Sequence, residues 1–273
     1  MKIVFFGTPD YVLPVLDLLN KYHEIVAVVT QSPKPVGREK TIEYSAVDKW
    51  AYKKDIKILS ELDIQKFPQA HLGVCAAFGM IIPQTTLDHF KHGILNIHPS
   101  ILPKYRGASP IQSAITNLDK TTGVSIIKMD EKMDHGPVLS SFKTDILLTD
   151  TFETLSVRLF ELASEFLINL IPNYSKGKIK LKPQDETQAT YCKIIKKQDG
   201  FVDLEKDDPK QIEAKLRAYY PWPGIWTLLR QDSSGQAKRL KVLKCHLENS
   251  ELVLDKVQLE GKNPVSFKQF IAK

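Results

Sequence analysis

The chain has 273 residues, 42% hydrophobic and 26% charged, with a formal net charge of +6. This balance excludes a disordered chain, and its longest apolar runs, such as residues 3–6 and 25–29, are strand-sized and too short to span a bilayer. Residues 1–175 carry 18 Lys and Arg against 19 Asp and Glu, whereas residues 176–273 carry 20 against 13, so the positive excess lies in the last third. A basic module joined to a neutral one points to a polyanionic partner, although a solvated lysine-rich surface would look the same.

In chain order, KIVFFG (residues 2–7) reads as a buried strand. Thr8-Pro9-Asp10 then offers a helix cap, and an apolar face of Val12, Val15, Leu16 and Leu19 follows. A second strand covers residues 24–30, and a basic loop with Pro33, Pro35 and Gly37 covers residues 32–41. Further strands are predicted at 72–78, 93–97 and 123–129. Helices are predicted at 45–54, 84–90, 110–118 and 150–171, the last ended by Pro172. This alternation predicts an α/β domain over residues 1–175 with a Rossmann-like, mostly parallel sheet. FFGTPDYV has one glycine where a dinucleotide fold needs three, so NAD is not expected.

Residues 176–204 read as a polar linker. Residues 205–273 then read as a small basic β-barrel of OB type, shortened at its end. A helix after Asp208-Pro209 leads into it, and strand-like pieces follow at 225–230, 238–248, 251–257 and 265–271. Cys75, Cys192 and Cys245 match no metal spacing and read as free thiols. With no signal peptide in view, the expectation is a cytoplasmic protein without metal or membrane association.

The chemistry concentrates at NIHPSILPKYRGASP (residues 96–110). Strand side chains alternate, so Asn96 and His98 face one side, at the end where open α/β sheets bind ligands. Asp134 in MDHGPVL, in the turn after the strand at 123–129, is the candidate carboxylate to orient the imidazole. An amide, an imidazole and a carboxylate suit acyl transfer to an amine: Asn96 and His98 donate to the developing oxyanion, and Asp134 takes the amine's proton through a water. No Ser or Cys nucleophile has an obvious role, so direct transfer is expected. Read without further context, the same residues could be ordinary turn and strand-end chemistry.

NIHPSILPKYRGASPIQ, with the distant Asp-x-Gly, resembles the methionyl-tRNA formyltransferases. FFGTPDYVLPVLDLL, AAFGMIIP and RAYYPWPGIW extend the resemblance over residues 1–229. The resemblance implies that Asn96, His98 and Asp134 are catalytic. It implies that Phe78, Gly79, Met80, Ile81, Pro83, Ser100, Leu102, Pro103 and Gly136 line a folate site. It further implies that Arg38 and Lys40, in an insertion after the second strand, and Lys104 and Arg106 contact tRNA. The expected donor substrate is 10-formyltetrahydrofolate, the acceptor initiator methionyl-tRNA and the active form a monomer. A sugar-amine N-formyltransferase and a non-catalytic tRNA-binding relative are the alternatives. MDHG places His135 where the family commonly has a smaller residue.

Overall fold

The computed structural model describes residues 1–36, 39–229 and 237–272. KIVFFG forms β1 (Lys2–Gly7), flanked by the parallel strands β2 (Glu24–Val29) and β4 (Leu72–Ala76). Beyond β2 lies the edge strand β3 (Lys57–Leu59). On the other side follow β5 (Ile94–His98), β6 (Thr121–Lys128) and β7 (Val138–Asp145). The seven strands run in the order β7-β6-β5-β4-β1-β2-β3, with β6 antiparallel to β5. Strand order reverses between β1 and β4, which places a crevice beyond the carboxyl ends of the strands there, next to β5.

The sheet is held by apolar side chains on both faces. Phe6 is fully buried and meets the rings of Phe67, Phe78 and Phe90 edge-on, at centroid distances of 6.1, 5.6 and 6.0 Å. Each such pair contributes about 0.5–1.5 kcal/mol beyond burial, and together they fix the chain where it leaves β4. Helix α1 (Leu13–Tyr22) buries Val15, Leu16 and Leu19. It starts later than Thr8-Pro9-Asp10 suggests, because Pro14 lacks an N–H and fits only in a first turn. Thr8 does not cap it: its hydroxyl donates to the Phe78 carbonyl at 3.1 Å. Helix α2 (Ala46–Lys53) is capped by Ser45, whose hydroxyl accepts the Asp48 N–H at 3.0 Å. The basic loop after β2 is a short hairpin, with Lys34–Val36 paired antiparallel to Thr41–Glu43. Helix α3 (Phe152–Ser175) runs past Pro172. The proline removes one hydrogen bond within the last turn and does not stop the helix.

The described chain divides into two units. The first comprises Met1–Ala108, Thr122–Thr144 and Ser156–Tyr191, and the second Ser109–Thr121, Asp145–Leu155 and Cys192–Lys273. Residues 176–191 of the stretch read as a linker therefore fold with the sheet. Lys182 exchanges two backbone hydrogen bonds with Val138 on β7, at 2.8 and 2.9 Å.

In the second unit, Asp208 caps α4 (Pro209–Ala218), and an antiparallel sheet contains β8 (Ile225–Leu228), β9 (Arg239–Glu248), β10 (Glu251–Leu259) and β11 (Val265–Ser266) in that order. Val202, Ile212, Ile225, Val242 and Cys245 form its core. Among the described residues no strand pair closes this sheet into a barrel. VSFKQFI is not one strand, because Ser266 and Gln269 cap each other's backbone and start a helix at Phe267–Ile271. Among the described residues, no helix is long and apolar enough to cross a membrane.

Candidate active site

Strand β5 carries Asn96 and His98 on one side, and both are buried despite being polar. A buried polar group needs a partner, and both find one in Asp134, from the turn between β6 and β7. The Asn96 amide Nδ2 donates to Asp134 Oδ1 at 3.1 Å, and His98 Nδ1 lies 3.5 Å from the same oxygen. The backbone N–H of Gly107 donates to Asp134 Oδ2 at 2.8 Å. His98 Nε2 lies 2.8 Å from the Tyr105 carbonyl. A carbonyl only accepts, so Nε2 carries a proton and Nδ1 is the atom facing the carboxylate. The three residues singled out from the sequence thus converge.

Asp134 sits at φ 50°, in the left-handed region, which Asp tolerates better than most residues because a short polar side chain can bond locally. Two residues on, a Cβ at Gly136 would collide with the Lys128 carbonyl, so only glycine lets the turn lie this close to the end of β6. His135 is engaged elsewhere: its Nδ1 lies 2.6 Å from Asp130 Oδ2 and its Nε2 3.5 Å from Glu186 Oε1.

The remaining candidates separate into two kinds. Met80 and Ile81, just beyond β4, expose 42% and 80% of their surface, an apolar pair turned to solvent beside the crevice. Phe78 and Gly79 shape that turn: the Phe78 carbonyl accepts from Thr8 and from Gln31 Nε2, and Gly79 has φ 74°. Pro83 caps the next short helix and is exposed. Ser100 and Leu102 are instead buried in their own loop, where the Ser125 hydroxyl accepts the Leu102 N–H at 3.0 Å and donates to the Ser100 carbonyl at 2.8 Å. The Pro103 carbonyl accepts the Thr190 N–H at 3.1 Å.

Lys104 is exposed, with its ammonium 4.6 Å from the Tyr105 ring centre, and Lys40 is exposed in the hairpin. Arg38 lies outside the described residues. Arg106 does not match its expected role. It is fully buried, and it donates to Gln184 Oε1 from Nε (3.0 Å) and Nη2 (2.8 Å), and to Glu186 from Nη1 (2.9 Å) and Nη2 (2.6 Å). These bonds hold the Glu186 carboxyl below the usual carboxylate range. A guanidinium so enclosed fastens one segment to another and offers no charge to an RNA backbone.

Sequence reasoning missed Gln184, Glu186 and Thr190. Thr190 Oγ1 accepts the Tyr105 N–H at 2.8 Å and the Thr190 carbonyl accepts the Arg106 N–H at 2.8 Å. The one available signal was compositional: PQDETQATY interrupts a lysine-rich stretch with residues that hydrogen-bond. Beneath the trio, Cys75 pairs in register with Asn96, and burial, followed by the Asp134 charge, pushes its thiol up to about 12.

Residues 1–171 match the formyl transferase family model, and residues 194–252 match the formyl transferase C-terminal domain. The chain belongs to the formyl transferase family. This formyl transferase is 35% identical to the methionyl-tRNA formyltransferase of Dictyoglomus turgidum, over 99% of this chain and 96% of that one. It is 40% identical to that of Methylacidiphilum infernorum, over 89% and 78%. Its fold is that of the methionyl-tRNA formyltransferase from Clostridium thermocellum, with TM-score 0.62, 20% identity, and 95% and 98% of the two chains covered. A sugar 3N-formyl transferase solved in the presence of dTDP and 5-N-formyl-THF shares it too, with TM-score 0.67, 21% identity, and 91% and 87% covered.

Proposed function

We propose that this enzyme moves a formyl group from 10-formyltetrahydrofolate to the α-amine of initiator methionyl-tRNA, with Asn96, His98 and Asp134 at the reacting centre. The convergence of these three side chains on one buried point, from two separate segments, carries the reading. The amine nitrogen attacks the formyl carbon and a tetrahedral intermediate forms. Asn96 Nδ2, which spends one of its two hydrogens on Asp134, directs the other toward the oxyanion. His98, whose Nε2 proton goes to the Tyr105 carbonyl, is a second donor only in its doubly protonated form, through the Nδ1–H beside Asp134. The bond from carbon to N10 of the folate then breaks. The proton released by the amine travels through Asp134 and a water to the departing N10.

The exposed pair Met80 and Ile81 supports a donor site in the crevice beyond β4, because an apolar wall suits a flat heterocycle. Lys104 and Lys40 supply the charge for the acceptor's phosphates, together with Arg38. The acceptor is assigned from the relatives that share a third or more of the sequence over most of its length. The test is formylation of charged initiator tRNA by the wild type, with an amino-sugar nucleotide as control acceptor. Asn96→Ala and His98→Ala should each lose about 100-fold or more in turnover while still binding tRNA. Near-wild-type turnover in both would remove these residues from the mechanism, and formylation of the sugar alone would change the acceptor.

A further inference from the structure

Gln184 occupies an unusual place. Its Oε1 accepts from Arg106 Nε and Nη2, at 3.0 and 2.8 Å. Its Nε2 donates to the carbonyls of Asp134 and Gly136, at 2.8 Å each. Arginine can only donate and carbonyls can only accept, so the amide has one orientation that satisfies all four bonds. The carbonyls it holds bracket the turn that keeps Asp134 at φ 50°. The side chain of Asp134 takes Gly107 and Asn96, and Gly107 adjoins Arg106 in sequence. A closed loop of hydrogen bonds therefore runs from Arg106 through the Gln184 amide to the Asp134 backbone, and from the Asp134 carboxylate back to the residue beside Arg106.

We propose that Gln184 is a positioning residue for the transfer step: it sets where the Asp134 carboxylate stands relative to His98 and Asn96. The inference rests on Asp134 acting in the reaction as read above. Gln184 touches neither donor nor acceptor in this role. A carboxylate on a left-handed turn has no strand or helix to hold it. Its placement comes from the bonds it accepts from Asn96 and Gly107 and from those that hold the Asp134 and Gly136 carbonyls beneath it. An error of about 1 Å at such a group is enough to cost on the order of 100-fold in rate. A residue that merely fastened the 184–191 segment would act through Arg106 alone, and either Gln or Glu would serve it.

That difference supplies the experiment. Gln184→Glu keeps the oxygen facing Arg106 and replaces the donating nitrogen with an acceptor. Gln184→Met fills the space and removes both functions. Steady-state formylation of methionyl-tRNA should show kcat lowered about 10- to 100-fold in both variants, with KM for each substrate within about twofold of wild type and both variants folded at the assay temperature by circular dichroism. Folded variants with wild-type kcat, or with a defect confined to KM, would overturn the inference. Absence of transfer by the wild type would instead overturn the reading on which it rests. The wild type also gives a reading that needs no variant: both Gln184 Nε2 protons should exchange slowly with solvent by NMR. Exchange at the rate of a free glutamine amide would refute the bridge.

Discussion

Asn96 and His98 stand on a central strand, while Asp134, which completes the trio with them, stands on a turn. β5 lies between β4 and β6, and both of its polar side chains occupy positions that the pleat alone dictates. The turn has no such lattice. Its conformation depends on a tight approach at Gly136, a glutamine from 50 residues further along, and a buried arginine that orients that glutamine. One half of the site is therefore built by regular secondary structure and the other by a clasp between distant segments. Changes to the two halves should have different consequences.

The largest separation should come from Arg106. Replacing it with Leu leaves Gln184 and Glu186 without their shared donor and exposes the clasp to water. Because Glu186 is itself exposed, the expected cost is smaller than that of breaking a fully buried pair. Urea unfolding should register the loss, and hydrogen exchange should rise in residues 184–190 and 132–137 before it rises in β4 and β5. Equal acceleration in both regions would show that strand and turn are one cooperative unit.

A gentler version uses pH. Arg106 depresses the Glu186 carboxyl, so its contribution is complete above the ordinary glutamate range and lost as pH falls through the lowered value. After correction for intrinsic rates, exchange in the 184–190 segment should quicken under acid while β5 stays protected; an unchanged segment would contradict the assignment. The smallest expected effect is on the strand side. Cys75, pushed up to about 12 by burial, is a neutral thiol at physiological pH and should resist alkylation until the protein unfolds globally. Rapid labelling of Cys75 in the native state would mean that β4 opens locally.

This contrast also explains what the sequence revealed. Alternation along GILNIH was enough to put Asn96 and His98 on one side, because strand geometry repeats every two residues. Asp134 was recognisable as a polar residue in a Gly-Pro turn, yet nothing local showed what holds it. Gln184 and Glu186 lie in a stretch whose polarity reads as linker, since a clasp made of hydrogen bonds leaves no apolar periodicity. Arg106 was misjudged for a related reason: a guanidinium beside Lys104 looks like surface charge until its carboxylate partner, 80 residues away, is in place. Helix ends failed on smaller physics. Pro14 reset the start of α1, Pro172 fitted inside the last turn of α3, and the Ser266–Gln269 capping box turned a strand-like segment into a helix.

Whether strand and turn meet to form one reacting centre is decided by Asp134→Asn. Single-turnover formylation at saturating tRNA and folate removes binding from the comparison. The rate should fall on the order of 100-fold below wild type, with both substrates bound as before. A rate within twofold of wild type would contradict it.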